Sequence, residues 1–297
     1  MNSHRLFNYF TLSSIALAIV WFAAFPVSND GLGLTALLVI FIMGMPHGAL
    51  DIIMLKALSK LNIQTCNASY ATKLSVLVSM YTALVVVAFF AWMLIPTICL
   101  IVFLIIGIAH FRHDWQQTLS IPSWCLSGVV VTAPSLVYSQ RLEDVFEWLF
   151  VPSYHASIIA LVMQVIAMLC MATILVYWLK NSIDTPVVKK MIIVVMCASV
   201  LPPLVFFTLY FCIVHSVYHT MLVQKTMQMN FKSLAVATLI PMLGTVALFS
   251  AAYWYFVETK ALSVYYPLVF IGLFAVTCPH VLLTHLCSKV MVKAAVA

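Results

Sequence analysis

Phe211-Cys212-Ile213-Val214-His215-Ser216-Val217-Tyr218-His219-Thr220 is an apolar run broken by two histidines four positions apart. On a helix both imidazoles lie on one face, one turn apart, a spacing that lets two side chains grip one metal ion. The run is too apolar for a soluble surface and reads as part of a membrane segment, where an ionisable side chain is costly and marks function. Taken alone, the pair reads equally well as two hydrogen-bonded core histidines. The rest of the chain decides between the two.

The chain has 297 residues, of which 65% are hydrophobic and 7% charged, and a mean hydropathy of +1.13. Several stretches exceed the roughly 20 apolar residues that a helix needs to cross a bilayer. Their continuity excludes a β-barrel, whose strands alternate over ~10 residues. The expected fold is therefore all-α, a polytopic membrane bundle of about eight to ten segments forming one domain over 1–297. Candidate spans are 6–25, 32–56, 74–95, 97–112, 121–139, 155–179, 187–202, 203–224, 233–257 and 262–288. The first is read as an uncleaved anchor, since no small-residue cleavage site follows it. Turn residues mark the joints: Asn29-Asp30-Gly31, Pro96, Pro122 and the stretch from Asn181 to Pro186. Pro202-Pro203 splits a long apolar run, and a chain reversal is expected there.

With ten crossings and a cytoplasmic N-terminus, only Arg141 and Lys260 of the 14 basic residues fall outside. That asymmetry follows the positive-inside rule. The net charge of +6 is thus a topology signal, not a nucleic-acid footprint, because the basic residues lie singly at segment ends. The eight cysteines form no Cys-x-x-Cys and read as apolar packers. Glu143, Asp144 and Glu147 read as an outer amphipathic loop without chemistry.

In this topology His47, His110, His215, His219 and His280 sit on segments that all run inward. They lie about 12 to 18 residues from the outer ends, a depth band of roughly 9 Å at 1.5 Å per residue. Histidines placed only for packing have no reason to share a level. Gly44-Met45-Pro46-His47-Gly48-Ala49-Leu50-Asp51 sets His47 and Asp51 one turn apart, so Asp51 can accept the second N–H of a ligating imidazole. His110 and Asp114 repeat that spacing, while His113 lies nearer the interface with Arg112. Cys278-Pro279-His280 echoes the Pro-His pair, and His280 reads as a residue that supports a ligand or touches substrate. His285, His4 and His155 read as interfacial. Neutral imidazoles without thiolates suit iron, zinc, copper or nickel. Four of them on an octahedral Fe(II) leave two positions open, and a site at membrane depth suits a lipid-soluble substrate.

Pro46-His47-Gly48-Ala49-x-Asp51, a central His110-Phe111 with a following aspartate, and the later His215-x-x-x-His219 resemble the Brp/Blh family of membrane β-carotene 15,15′-dioxygenases. The resemblance runs from Gly44 to about His285. It implies a catalytic Fe(2+) held by His47, His110, His215 and His219, with Asp51 and Asp114 orienting ligands and offsetting charge. It also implies O2 as co-substrate and β-carotene or a related carotenoid as substrate. Two retinal molecules then form, with possible hand-off to a rhodopsin, in the inner (plasma) membrane. Arg112-His113 departs from the small residue expected after the aromatic. The competing enzyme reading, a di-iron desaturase or hydroxylase, lacks its His-x-x-His-His boxes here. The competing non-enzyme reading is a transporter of metal ions or protons, which needs polar groups spread through the membrane rather than banded. A b-type haem would announce itself by a Soret band, and no mid-span lysine offers a retinal Schiff base.

Overall fold

The structure is a computed structural model that describes residues 8–14, 16, 39–40, 44, 48–60, 69–115, 119–256 and 265–296. Its elements are all helical: α1 (Asp51–Lys60), α2 (Tyr70–Leu94), α3 (Pro96–Phe111), a 3₁₀ turn (Arg112–Trp115), α4 (Ser120–Thr132), α5 (Ser135–Trp148) and α6 (Ser153–Leu179). Then follow α7 (Thr185–Val200), α8 (Pro203–Leu209), a π-helical segment (Tyr210–Ser216), α9 (Val217–Thr226), α10 (Phe231–Phe256) and α11 (Tyr265–Val296). Among the described residues five stretches are long and apolar enough to cross a membrane: 70–94, 96–115, 153–179, 203–226 and 269–287. A sixth arises if α4 and α5, bent by 59° to each other, count as one broken span. The protein is a multi-pass membrane protein.

Five of the expected crossings correspond to these helices. Others differ. The first two, 6–25 and 32–56, lie largely outside the described residues. The segment expected at 187–202 is a 16-residue helix, below the length of a full crossing. The expected span 121–139 is interrupted at Ala133-Pro134. Pro134 has no N–H to donate, so the ladder stops and restarts at Ser135. Backbone groups near the break find side-chain partners: Ser135 Oγ donates to Thr132 O, and Gln164 Nε2 to Ser135 O. That internal satisfaction is what a bilayer demands.

Local chemistry sets the joints. Ser69 caps α2 by accepting from the Thr72 N–H at 3.2 Å. Ile95 alone separates α2 from α3, and Pro96 opens α3 where its missing N–H costs nothing. Leu201 and Pro202 are extended before Pro203 opens α8, so the expected break at the two prolines is present. Three helices end in left-handed residues, Phe150, Asn181 and Gln228. In each, the next N–H reaches back five residues: Val151 to Phe146, Ser182 to Tyr177 and Met229 to Gln224.

Helices α4 and α6 pack closely because their facing residues are small. Ser127 on α4 and Ala156, Ala160 and Ala167 on α6 are fully buried. A Cβ at Gly128 would stand 2.9 Å from Cys170 Sγ, so this crossing has no room for a larger residue. Elsewhere Trp92 on α2 is buried, donates to Leu149 O at 3.0 Å and meets Phe274 of α11 edge-on at 4.9 Å. These contacts fix α3 and α11 beside each other, with α8–α9 on the other side of a shared interior.

Gly128→Val should therefore lower the thermal stability of the detergent-solubilised protein by about 1–3 kcal/mol, the usual cost of overpacking. Cys170→Ala in the same chain should recover part of it. Additive losses in a thermal-unfolding series would refute this contact as the cause.

Candidate metal centre

Four histidines from three spans meet in the interior. His110 is at the C-terminal end of α3, His215 in the π-helical segment, His219 in α9 and His280 in α11. The ring centroids of His110 and His215 are 4.5 Å apart, those of His110 and His280 5.0 Å, and those of His219 and His280 5.2 Å. His110 to His219 and His215 to His219 measure 6.1 and 6.2 Å. His47 lies outside the described residues. His113 and His285 are exposed.

Two buried carboxylates hold two of these rings. Asp114 places both oxygens 3.1 Å from His215 Nδ1, and Asp51 Oδ1 is 2.7 Å from His280 Nδ1. A carboxylate accepts and does not donate, so each Nδ1 carries the proton and each Nε2 is turned to the cluster. Each carboxylate is itself held by a tyrosine. Tyr210 Oη donates to Asp114 Oδ2 at 3.2 Å and Tyr81 Oη to Asp51 Oδ2 at 2.7 Å. Asp51 and Asp114 are 3% exposed, a burial that an ionised group tolerates only when paired.

Asp51 serves His280 across helices, its expected neighbour His47 lying outside the described residues, and Asp114 serves His215 rather than its own neighbour His110. The reason is local winding. Arg112–Trp115 is a 3₁₀ turn, and its tighter winding rotates Asp114 off the His110 face towards the π segment. Arg112 turns away instead, donating from Nε to Ser123 Oγ at 2.8 Å and lying over Trp124.

The π segment supplies what an α-helix would not. Its wider turn carries Tyr210 and His215, five apart, to the same carboxylate. Sequence reasoning missed Tyr81 and Tyr210. The available signal was that a membrane-buried tyrosine hydroxyl needs a partner, but the partners lie on other elements. Phe211 stacks on His215 with its ring tilted by 19°, and the backbone of Gly44 abuts that phenyl ring so closely that a Cβ there would overlap it.

Among the described residues no group of three His, Cys, Asp or Glu side chains forms a finished metal cage. The cluster nevertheless fits a metal that prefers nitrogen. His215 Nε2 and His110 Nε2 are 2.9 Å apart. Two bonds of ~2.0–2.1 Å at a right angle put their nitrogens about 2.9 Å apart, whereas a tetrahedral angle puts them about 3.3 Å apart. Without a metal the same distance is an N–H···N hydrogen bond. All-imidazole donors without thiolate match the ligand set expected for iron and its neighbours.

An apolar, partly open cavity has His110 in its wall. Phe103, Leu104, Phe206, Phe207, Phe270 and Leu273 line much of it, and its few polar side chains are His110, Tyr210 and Thr277.

The chain's residues 38–288 match the family described as Beta-carotene 15,15′-dioxygenase. A Beta-carotene 15,15′-dioxygenase from uncultured marine bacterium 66A03 is 29% identical over 259 residues, covering 84% of this chain and 91% of the relative. No solved structure matches the chain. With that match over most of its length, on a membrane bundle whose interior gathers four histidines beside an apolar cavity, the chain belongs to the β-carotene 15,15′-dioxygenase family of enzymes.

Proposed function

We propose that this protein cleaves the central 15,15′ double bond of β-carotene or a closely related carotenoid with O2, giving two retinal-type aldehydes. The observation that carries this reading is the meeting of His110, His215, His219 and His280 inside membrane helices, with His110 also in the wall of an apolar cavity. The centre is Fe(2+), held by His110, His215 and His219 together with His47. Bound Fe(2+) would supply the one-electron chemistry that O2 needs and an alkene does not readily provide.

The chain's own residues do the rest. A carotenoid hydrocarbon offers no hydrogen-bonding atom, so its position is set by shape, and the aromatic walls formed by Phe103, Phe207 and Phe270 supply that shape. His110 lies in the cavity wall, so a polyene lodged there passes beside the imidazole cluster. One double bond among many is thereby aligned, which is the entropic part of the catalysis. Walls this apolar also keep water from the reacting carbons. Asp114 holds the proton on His215 Nδ1 and thus directs Nε2 inward. A transporter of metal ions or protons would need a polar path through the membrane, and this cavity is apolar apart from three side chains.

The bilayer supplies the substrate and receives the lipid-soluble aldehydes, which suits hand-off to a rhodopsin. Placement in the inner (plasma) membrane with a cytoplasmic N-terminus rests on the distribution of lysine and arginine.

In a bacterium that accumulates β-carotene, expression should bleach the carotene and produce retinal, while His215→Ala should do neither. Intact carotene, with wild-type protein in the membrane and iron supplied, would overturn the reading. Asp114→Asn should reduce activity by about 10–100-fold, the range for losing a partner that orients a metal-bound imidazole. Asp144→Asn, at an exposed site, should be neutral, as assayed by retinal formation from carotene in detergent micelles. Gly107 lines the cavity one turn before His110, and a Cβ there meets only Val131 at 3.8 Å. Gly107→Leu should therefore narrow the cavity, raising KM or abolishing turnover while leaving bound iron at the wild-type level. Loss of iron in that variant would show damage to the centre instead.

A further inference from the structure

The two carboxylate-held histidines are built alike, although the sequence treats them differently. His215 is held by Asp114 and Asp114 by Tyr210; His280 is held by Asp51 and Asp51 by Tyr81. Each chain of contacts is Tyr–Asp–His, with the carboxylate on a different element from the imidazole it holds. Both imidazoles are almost completely buried, at 2% exposure. In both, the Nδ1 edge is taken by the carboxylate, so the Nε2 edge is the one that faces the other histidines. The His280 ring stands 5.0 Å from that of His110, nearly perpendicular at 88°, and 5.2 Å from that of His219. His215 stands 4.5 Å from His110 and 6.2 Å from His219, so the two rings keep comparable distances to the same pair.

We propose that His280 is a direct ligand of the metal centre, positioned by Asp51 and Tyr81 as His215 is positioned by Asp114 and Tyr210. The inference rests on the iron reading above and enlarges its donor set with a histidine from α11. A supporting role for His280, holding another ligand from behind, does not match the geometry. A support would offer its Nδ1 or Nε2 to a ligand's outer edge, whereas His280 has its own buried carboxylate behind it. The arrangement also explains why a carboxylate should be buried on α1 at all. Among the described residues, the Asp51 carboxylate is hydrogen-bonded to the His280 imidazole and the Tyr81 hydroxyl. A cation at the imidazole cluster would offset both buried negative charges.

The test uses full-length protein purified in detergent, stripped of metal and titrated anaerobically with Co(2+), whose visible bands report the number and kind of donors. Wild type should take up one Co(2+) per chain. His280→Gln, which keeps volume but loses the imidazole, should weaken binding beyond the ~10–100-fold cost of losing an outer partner and should shift the bands. Tyr81→Phe, which removes one oxygen from a side chain that otherwise packs as before, should weaken binding about 10-fold and leave the bands in place. His285→Ala, on the same helix but exposed, should change neither. If His280→Gln keeps wild-type affinity and bands, His280 is no ligand and this inference falls while the iron reading stands. If wild type takes up no metal, the iron reading itself falls and carries this one with it. Should His280→Gln fail to reach the membrane, Tyr81→Phe decides, and wild-type affinity in that variant overturns the proposal.

Discussion

A carboxylate buried among membrane helices must be answered, and in this protein the answer organises the interior. Asp114 and Asp51 each accept from one imidazole and one tyrosine hydroxyl, and the four partners come from three different stretches of chain. Leaving either carboxylate unpaired would cost several kcal/mol. Each therefore ties helices together that the hydrophobic effect alone would not align, because lipid is as apolar as any leucine. Asp51 ties α1 to α2 and α11. Asp114 ties the end of α3 to the π segment between α8 and α9. The histidines meet where these ties meet.

The same constraint accounts for the unusual helical windings. A regular α-helix through 203–226 would not carry Tyr210 and His215 to one point, and the wider π turn does. A regular α-helix through Asp114 would aim it at His110, and the tighter 3₁₀ turn aims it elsewhere. Both departures sit at the cluster, while α2 and α6, which run through lipid-facing surroundings, are regular over 25 and 27 residues. Aromatic rings fill the space that the departures open. Phe111 lies 4.8 Å from His215, and Phe211 stacks on its other side.

Hydropathy made the long helices legible because a bilayer permits few alternatives: Tyr70–Leu94, Pro96–Trp115 and Ser153–Leu179 are apolar, long and bounded by turn residues. Ala133-Pro134 was not legible as a 59° bend, since a proline in an apolar run fits a mild kink equally well. The shared level of His110, His215, His219 and His280 was legible from depth along the spans. The pairing of Asp114 with His215 was not legible, because a one-turn spacing reveals only partners on the same helix. Asp51 with His280 is separated by 229 positions, and nothing in either local sequence announces it. The hydroxyls of Tyr81 and Tyr210 were hidden likewise.

The distribution of polarity around the cluster has its own logic. Polar partners lie behind the imidazoles, where Asp51, Asp114 and the two tyrosines complete one another. The cavity side shows almost none, with His110, Tyr210 and Thr277 among walls of leucine, valine and phenylalanine. Tyr210 belongs to both sides, since its ring lines the cavity while its hydroxyl is spent on Asp114. A hydrocarbon substrate can make no demand on a hydrogen-bonding group, and every unsatisfied donor facing it would cost stability without adding affinity. Selection of one bond in a long polyene must then come from where the cavity places the chain relative to His110. Position in such a site is a matter of length and width, which makes the aliphatic and aromatic walls as much a part of the chemistry as the histidines they surround.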